Sequence, residues 1–188
     1  GKVYQDFFDS QRESEFDHIS LSRWADVILV APATANIIAK FANGISDDLA
    51  STLVLASNKD IILAPAMNVR MWINSITKKN LKKILYNGYL SIGPEIGEMA
   101  CGEYGQGKMS DPKIIVNYLY DFFNNKNILK TKKLKAIITA GPTREYLDPI
   151  RFMTNNSSGL QGYEIAKSLD KIGISTTLIS GPVKLDIS

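Results

Sequence analysis

Two short apolar runs that each lead into a proline limit most strongly how this chain can fold. The run Ala25–Ala31, with its VILV centre, precedes Pro32. The run at 61–63 lies just before APAMNVRMW, in which Pro65 removes a backbone donor and stops a strand. Helical spacing follows each run, which predicts an α/β fold with a parallel sheet flanked by helices. Both strand ends then face one edge of the sheet, where such folds bind ligands.

Polar residues follow each of these strands. Asn68 offers a carboxamide that can donate to a carboxylate and accept from a thiol or an amine. The alternative is that Asn68 caps the next helix, predicted over Val69–Leu85. In APATANI, Thr34 and Asn36 stand at a helix start and can hydrogen-bond a flat cofactor, or Thr34 can serve as an ordinary cap.

The rest of the first half contains further helix and strand signals. Glycines recur between 93 and 109, which predicts a mobile loop without regular structure. The other predicted elements are a helix over Thr34–Asn43 closed by Gly44, a helix capped at 46–48 and running to Leu55, a helix ending near Asn87, a strand over Tyr89–Ile92, and a helix from Pro112 to about Phe123.

A polar, asparagine-rich and basic stretch, Asn124–Lys133, has the composition of a connector between domains. Beyond it, the sequence predicts a strand over Leu134–Thr139, a helix over Gly159–Leu169 and a parallel return strand over Ser175–Ser180. This second unit is too short to close its own sheet. Residues 1–17 show neither a strand pattern nor a phosphate loop, so we expect the chain to be a fragment.

Composition narrows the class of protein. With 188 residues, 45% hydrophobic and 22% charged, the chain has the make-up of a globular protein. The net charge is +3, and the lysines at 130–135 are interpreted as linker charge rather than a nucleic-acid patch. No apolar run approaches the roughly 20 residues that cross a bilayer. One cysteine permits neither an internal disulfide nor an all-cysteine metal site, so we expect a cytoplasmic protein with no metal centre.

Three further side chains could carry chemistry. His18 is the only histidine and can exchange a proton near neutral pH, although a lone histidine is often structural. Cys101 is the only thiol and lies in the glycine-rich ACGEYGQGKM, where a closing loop could bring it over a substrate as an acid. The alternative is a flexible surface loop with an incidental cysteine. Lys108 could meet a phosphate or carboxylate, or face solvent.

Taken in order, HISL, APATAN, PAMNVRMW and ACGEYGQGKM resemble the motifs of the flavin-dependent phosphopantothenoylcysteine decarboxylases. The resemblance implies a Rossmann-like flavoprotein domain. It makes His18 the active-site histidine, Asn68 the group that grips the substrate carboxylate, and Cys101 the proton donor of a substrate-clamp loop. It further implies contacts to flavin mononucleotide (FMN) from Thr34, Ala35, Asn36, Ile37 (often threonine in the family) and Ala66, and contacts to substrate from Arg23, Met67, Met71 and Lys108.

The second half, ITAGPTREYLDPIRFMTNNSSGLQG, resembles the opening of phosphopantothenate–cysteine ligase, a second Rossmann-like domain. The resemblance implies that Arg151 and Asn155 handle an activated acyl intermediate, with CTP and Mg²⁺ as the ligase cofactors. Leu160 replaces a lysine that is common in the family. The family's nucleotide contacts correspond to positions beyond Ser188. The implied domains are 1–126 for the decarboxylase, 127–133 for the linker and 134–188 for the ligase.

The family implies a bifunctional enzyme of coenzyme A synthesis. Its substrates would be phosphopantothenate, cysteine and phosphopantothenoylcysteine, and its assemblies would be decarboxylase trimers and ligase dimers, without nucleic acid or membrane. Three alternatives remain: another flavin-dependent cysteine decarboxylase, a flavin prenyltransferase, or a non-catalytic flavin-binding relative. A prenyltransferase should lack both the clamp cysteine and the ligase-like tail.

Overall fold

The computed structural model describes residues 3–4, 18–99, 102–125, 134–146, 148 and 150–185. Among these, the strands are β1 (Val3–Tyr4), β2 (Val27–Ala33), β3 (Asp60–Pro65), β4 (Leu90–Ser91), β5 (Glu95–Glu98), β6 (Tyr104–Lys108), β7 (Lys135–Ala140), β8 (Arg144–Tyr146), β9 (Phe152–Thr154) and β10 (Ser175–Ser180). The helices are α1 (His18–Trp24), α2 (Ala35–Asn43), α3 (Leu49–Ala56), α4 (Val69–Ile73), α5 (Ser75–Tyr86), α6 (Pro112–Asn125) and α7 (Leu160–Lys171).

A six-stranded sheet in the order β1-β10-β7-β2-β3-β4 forms the centre of the molecule. Every neighbouring pair in it is parallel. Strand β1 lies in the stretch where the sequence showed no strand pattern, so that expectation was wrong at Val3–Tyr4. The parallel sheet with flanking helices confirms the predicted α/β, Rossmann-like class.

Strand β2 shows why the sheet is buried on both faces. Its side chains alternate between two apolar layers, as the pleat of a strand requires. Val27, Leu29 and Ala31 join the layer beneath α6 and α7. Ile28 and Val30 join the layer beneath the helices α1 to α5. The near-continuous apolar run in the sequence therefore corresponds to a central strand between two helical layers.

Strands from both halves of the sequence share this sheet. β7 pairs with β2 in parallel, and Val27 lies opposite Ala136 in that pairing. At the start of the pairing, the Asp26 N–H donates to the Lys135 carbonyl at 2.9 Å, and the Lys135 N–H donates to Asp26 Oδ2 at 3.0 Å. The second βα unit therefore extends the first sheet. The predicted linker, 127–133, lies outside the described residues, and the domain boundary stays a prediction.

Pro32 lies inside β2, so the predicted end of that strand was wrong, whereas Pro65 is the last residue of β3, where the sequence predicted that a strand stops. β2 continues past Pro32 to Ala33, with a register shift between Val30 and Ala33, and β3 includes Pro65 as its last residue. A proline costs a strand only its own N–H, and the shifted register absorbs that loss. Ala33 and Pro65 are register partners, which confirms that the two strand ends meet at one edge.

The helix caps follow the sequence signals closely, with one exception. Gly44 closes α2 in the left-handed region at φ 66°, and Asp48 with Ser51 forms a capping box at the start of α3. The helix predicted over Val69–Leu85 is instead two helices. Asn74 separates them because its extended backbone ends α4, and its side chain caps α5 by accepting from the Ile76 N–H at 2.8 Å.

The glycine-rich stretch 93–109 is not the irregular loop that the sequence predicted. Its described residues form an antiparallel hairpin of β5 and β6. Two of the glycines are required by this hairpin. Gly105 and Gly107 have φ values of 155° and 148°, and because they lack a Cβ, Val69 and Met67 can lie close against β6. A second hairpin, β8 and β9, follows β7 and was not predicted.

Two kinds of feature are absent from the described part of the chain. No helix there has the length and apolar character that crossing a bilayer requires. No three histidine, cysteine or acidic side chains there are arranged to hold a metal ion.

Candidate functional site at the carboxyl edge of the sheet

A cleft of about 620 Å³ opens where β2, β7 and β10 end. This volume falls in the range of small-molecule and cofactor sites. One wall comes from the β2–α2 turn, with Thr34 and Ile37, and from the start of α3, with Asp48. The opposite wall carries Arg144 and Asn155 from the second half of the chain. The cleft therefore joins residues predicted to bind a flavin with a residue predicted to act in the ligase.

The β2–α2 turn is held by Thr34. Its hydroxyl oxygen accepts from the Ile37 N–H at 3.2 Å, so Thr34 caps α2 as the simpler interpretation predicted. Ile37 is only 4% exposed and packs in the core, which leaves its backbone rather than its side chain for a ligand. Ala35 and Asn36 form the first turn of α2 beside the cleft. Helix amides and small side chains thus lie at the strand end, as a flat cofactor requires.

Lys40, on α2, is an almost completely buried cation next to this wall. Its Nζ donates to Asp47 Oδ1 at 2.7 Å and to Asp48 Oδ2 at 3.0 Å. Burial by itself would lower the pKa of Lys40, but the hydrogen bonds and charges of the two carboxylates outweigh it and raise the pKa. Because Asp48 also caps α3, the triad fixes α2 and α3 relative to each other.

Asn68 uses both ends of its carboxamide. Its Oδ1 accepts from the Met71 N–H at 3.1 Å, which caps α4. Its Nδ2 donates to Glu103 Oε2 at 2.7 Å, a carboxylate 35 residues further along the chain. The cap interpretation is confirmed, and the carboxamide nitrogen meets a carboxylate of the chain itself, while its role toward a substrate stays a prediction.

The β5–β6 hairpin lies directly on the loop after β3. The Met67 N–H donates to the Gly107 carbonyl at 3.0 Å. Gly105 faces Val69 so closely that a Cβ there would lie 2.9 Å from a Val69 methyl carbon. Three successive loop residues, Met67 to Val69, therefore each contact the hairpin. Its docking is specific rather than incidental.

The other predicted ligand contacts on this side differ in exposure. Ala66 is half-buried and donates its N–H to the Ala33 carbonyl at 3.1 Å, which ties the two strand-end loops together. Met67 packs against the core, whereas the Met71 side chain is 48% exposed. Lys108 is exposed, and its stem lies over Gly97 of the facing strand.

Trp72, on α4, lies just behind Asn68. Its ring is 4% exposed, and the Lys78 ammonium sits 3.6 Å from the ring centroid. Burial lowers the pKa of Lys78. Within the described residues, Trp72 Nε1 is the buried side-chain polar atom without a hydrogen-bond partner.

Four predicted residues do not join these groups within the described chain. His18 is the first residue of α1, and Arg23 lies in the last turn of the same helix, just before β2 begins. Cys101 lies outside the described residues. Arg151 is engaged by Asp148, whose carboxylate accepts from the Arg151 guanidinium and from its backbone N–H.

A model of the Flavoprotein family matches residues 1–124, two thirds of the chain. The chain belongs to the flavoprotein family. A second model, the DNA/pantothenate metabolism flavoprotein C-terminal domain, matches residues 131–188. In the flavoprotein segment lie β2, β3 and the hairpin. The second segment supplies β7 and β10.

Curated relatives match nearly all of this flavoprotein chain. The coenzyme A biosynthesis bifunctional protein CoaBC of Vibrio cholerae is 46% identical over 97% of this chain and 45% of its own length. The proteins of the same name from Haemophilus influenzae and Bacillus subtilis are 48% and 44% identical, over 97% and 98% of this chain. The chain therefore spans less than half the length of these relatives.

Solved structures resemble the flavoprotein segment. A cysteine-to-serine variant of PPC decarboxylase complexed with pantothenoylaminoethenethiol aligns with a TM-score of 0.58 at 34% identity, covering 62% of this chain and 69% of that one. The FMN binding protein AtHal3 aligns at 0.55 and 35% identity, covering 62% and 68%. The peptidyl-cysteine decarboxylase EpiD aligns at 0.52 and 30%, covering 60% and 67%.

Sequence reasoning missed three groups at this edge of the flavoprotein fold. Glu103 gave no signal, because its partner lies 35 residues away. Arg144, within the ligase-like motif, was not singled out, although it lines the cleft and lies 4.3 Å from the Phe152 ring. Lys40 lies in the helix predicted over Thr34–Asn43 and was not singled out. The two acidic residues seven and eight positions later were the available hint.

Proposed function

We propose that this chain carries the FMN-dependent decarboxylation of 4'-phosphopantothenoylcysteine to 4'-phosphopantetheine, together with the opening of a CTP-dependent phosphopantothenate–cysteine ligase. One observation carries the decarboxylase proposal. The Asn68 amide donates to a carboxylate of the docked hairpin, that of Glu103, at the carboxyl edge of a flavoprotein sheet. That is the arrangement a carboxylate-bearing substrate needs, and the CoaBC relatives match across both segments.

The residues at the β2–α2 turn fit a bound FMN. The cleft has a suitable volume, the residues around the turn are small at Ala33 and Ala35, and the first-turn amides of α2 lie beside it. Thr34, Ala35, Asn36 and Ile37 would hold the cofactor, together with Ala66 from the neighbouring loop. When bound, FMN would accept two electrons from the cysteinyl carbon–sulfur unit, which makes loss of carbon dioxide easy, and would return them to the decarboxylated product, so that the overall reaction is redox-neutral.

The chain's own side chains would then position the substrate. Asn68 holds the departing carboxylate, while Met67 and Met71 supply apolar contact and Lys108 a positive charge. The hairpin excludes water from the site. Cys101, which lies in the sequence between the two hairpin strands, returns a proton to the decarboxylated carbon, and His18 assists the oxidative step. Arg23 contacts substrate.

For the ligase segment, Arg151 and Asn155 would handle the activated acyl group formed from phosphopantothenate with CTP and Mg²⁺. Asn155 lines the cleft, and the Asn155 carboxamide accepts from the Ser157 N–H at 3.1 Å. Arg151 would bind an anion from its place beside Asp148. We assign residues 1–126 to the decarboxylase and 134–188 to the ligase.

The proposed assembly and location follow the same assignment. Decarboxylase segments would form trimers and ligase segments dimers, so that Arg23 and His18 of one chain could serve a site on another. We assign the enzyme to the cytoplasm, with small-molecule substrates and without nucleic-acid or membrane partners.

The deciding experiment measures carbon dioxide release from 4'-phosphopantothenoylcysteine by the complete, FMN-loaded protein. We expect release together with phosphopantetheine. The Cys101→Ser variant should release carbon dioxide yet accumulate the oxidised, decarboxylated product. Normal phosphopantetheine output from this variant would remove Cys101 from its role. Flavin binding without any carbon dioxide release would instead support a non-catalytic relative.

The resemblance to EpiD makes a second candidate worth testing, namely decarboxylation of a cysteine-ended peptide. Comparing a cysteine-ended peptide with phosphopantothenoylcysteine under the same conditions separates the two functions. We expect turnover of the phosphorylated substrate and little of the peptide, because the ligase segment makes that substrate.

A further inference from the structure

The Asn68 carboxamide has a fixed orientation. Its oxygen accepts from the Met71 N–H, so its nitrogen must face outward as a donor. The group that this donor meets is the Glu103 carboxylate, at 2.7 Å from Nδ2 to Oε2. A hydrogen bond with one charged partner is short and comparatively strong. The donor proposed for the substrate is thus already bonded to a carboxylate of the chain itself.

The backbone of the hairpin places Glu103 there. The Met99 N–H donates to the Glu103 carbonyl at 2.9 Å, at the point where the two strands turn. At the other end of β6, the Gly107 carbonyl accepts from the Met67 N–H at 3.0 Å. Between them, Gly105 packs on Val69. Among the described residues, the Glu103 side chain therefore joins the hairpin to the loop in addition to these two contacts, and it does so through a side-chain charge.

We propose that Glu103 is a positioning residue that holds the hairpin on Asn68 and gives up this donor to the carboxylate of the substrate. The inference rests on the proposed function. Two carboxylates at one amide repel each other, so the substrate carboxylate and Glu103 compete for the Asn68 donor. Once the substrate has lost carbon dioxide, the competitor is gone and Glu103 returns to Asn68. Glu103 thereby weakens binding of carboxylated ligands and leaves binding of decarboxylated ligands unchanged.

The test uses two small probes that differ only in the carboxylate, N-acetylcysteine and N-acetylcysteamine. The complete protein, with asparagine labelled by ¹⁵N, is titrated with each probe while the Asn68 side-chain amide signal is followed. The wild type is compared with Glu103→Gln, Glu103→Ala and the matched control Glu98→Gln, on the facing strand of the same hairpin. Hydrogen exchange at the Met67 amide, measured without any probe, reports on hairpin docking.

We expect both Glu103 variants to bind N-acetylcysteine several-fold more tightly than the wild type, with N-acetylcysteamine binding the same throughout. Exchange at Met67 should rise in both variants and stay at the wild-type rate in Glu98→Gln. A ratio of the two probe affinities that is unchanged by Glu103→Gln and Glu103→Ala would overturn the inference. So would Met67 exchange that does not rise.

Neither measurement needs turnover, so failure of this inference is distinct from failure of the proposed function. If the wild type releases no carbon dioxide, the decarboxylase proposal fails, whereas the probe titration still decides whether Glu103 competes with a carboxylate for Asn68. Weaker binding of both probes by the Glu103 variants would show that Glu103 acts only by holding the hairpin in place, and it would therefore also contradict the inference.

Discussion

Met67 and Gly107 are joined by a backbone hydrogen bond of 3.0 Å, from the Met67 N–H to the Gly107 carbonyl. This bond connects the loop after β3 to the β5–β6 hairpin, which forms a sheet of its own, separate from the parallel sheet. It brings Glu103, a described residue of the hairpin, to the same edge as Asn68. The hairpin is thus the means by which the flavoprotein fold covers its strand ends.

Gly107→Ala should disrupt this docking. A Cβ at position 107 would lie 2.3 Å from the Met67 carbonyl oxygen, and the φ of 148° is one that L side chains rarely adopt. Backbone atoms cannot move aside cheaply, so the hairpin must shift. We expect kcat/KM for decarboxylation to fall about tenfold or more, as small displacements in a site do. Steady-state kinetics measure the change.

The matched control for this change is Gly102→Ala. Gly102 also has a positive φ, of 79°, but a Cβ there meets nothing within 4 Å. The Gly102→Ala change should therefore lower the free energy of unfolding through backbone strain alone, by roughly 1 kcal/mol. Equal kinetic losses in the two variants would show that strain, rather than docking onto Met67, governs activity.

Asn68→Asp separates the two roles of Asn68. Aspartate keeps an oxygen for the Met71 N–H and caps helices as well as asparagine does, so the free energy of unfolding should fall only through loss of the exposed bond to Glu103, by less than about 1 kcal/mol. The new side chain has no donor and repels both Glu103 and a substrate carboxylate. We expect decarboxylation to fall on the order of a hundredfold, with flavin binding retained.

Asn68→Ala is the companion variant, because it loses the cap as well and should also lower stability by about 1 kcal/mol. Urea denaturation and carbon dioxide release, measured on the same preparations, check both expectations. Substantial activity in Asn68→Asp would argue against the donor role.

Lys40→Met should destabilise the protein. The change keeps most of the buried stem but leaves Asp47 and Asp48 without their cation. Removing one partner of a buried pair typically costs about 3–5 kcal/mol, and we expect roughly 2 kcal/mol here because Asp47 is half exposed. Urea denaturation gives the value. Lys82→Met, an exposed lysine on α5, should be nearly neutral.

The contribution of Lys40 should also depend on pH at the alkaline end. The pKa of Lys40 in the folded protein is raised above 10.5, because the two carboxylates outweigh the effect of burial. Its stabilisation is therefore fully present below pH 10.5 and is lost as the pH rises through the folded-state pKa. The difference in unfolding free energy between the wild type and Lys40→Met should stay constant from neutral pH upward and shrink only above that value.

Asp148 should titrate in the opposite sense. The Arg151 N–H, then the Arg151 guanidinium and the Ile150 N–H, hold the pKa of Asp148 below its ordinary value of 3.8. The turn that they form is stabilised above pH 3.8 and loosens as the pH falls through the lowered pKa. Carbon-detected NMR titration of the Asp148 carboxyl measures this directly. In Arg151→Gln the pKa should move back toward 3.8.

Local chemistry predicted the parts of the fold that depend on neighbours in sequence. Apolar runs located β2, β3 and β7, and caps such as Thr34 and Gly44 located the helix ends. The hairpin could not be found this way. A series of glycines in a sequence predicts a loop. Here they instead leave room for Met67 and Val69 to lie against the hairpin, which depends on contacts between distant parts of the chain.

The candidate site divides along the same line. Asn68 and Thr34 could be singled out because each follows a strand and begins a helix. Glu103 and Lys40 could not, because their roles arise from partners that folding brings near. The pairing of β7 with β2 could not be predicted from the sequence either, because any parallel strand of suitable length could pair with that side of β2.

That pairing makes the two family segments mechanically interdependent. β2 is hydrogen-bonded to β3 of its own segment on one side and to β7 of the other segment on the other. Separating the two segments would remove the backbone hydrogen bonds on one side of β2. It would also expose the apolar layers on both faces of the sheet to solvent. The two segments should therefore unfold together, in a single cooperative transition.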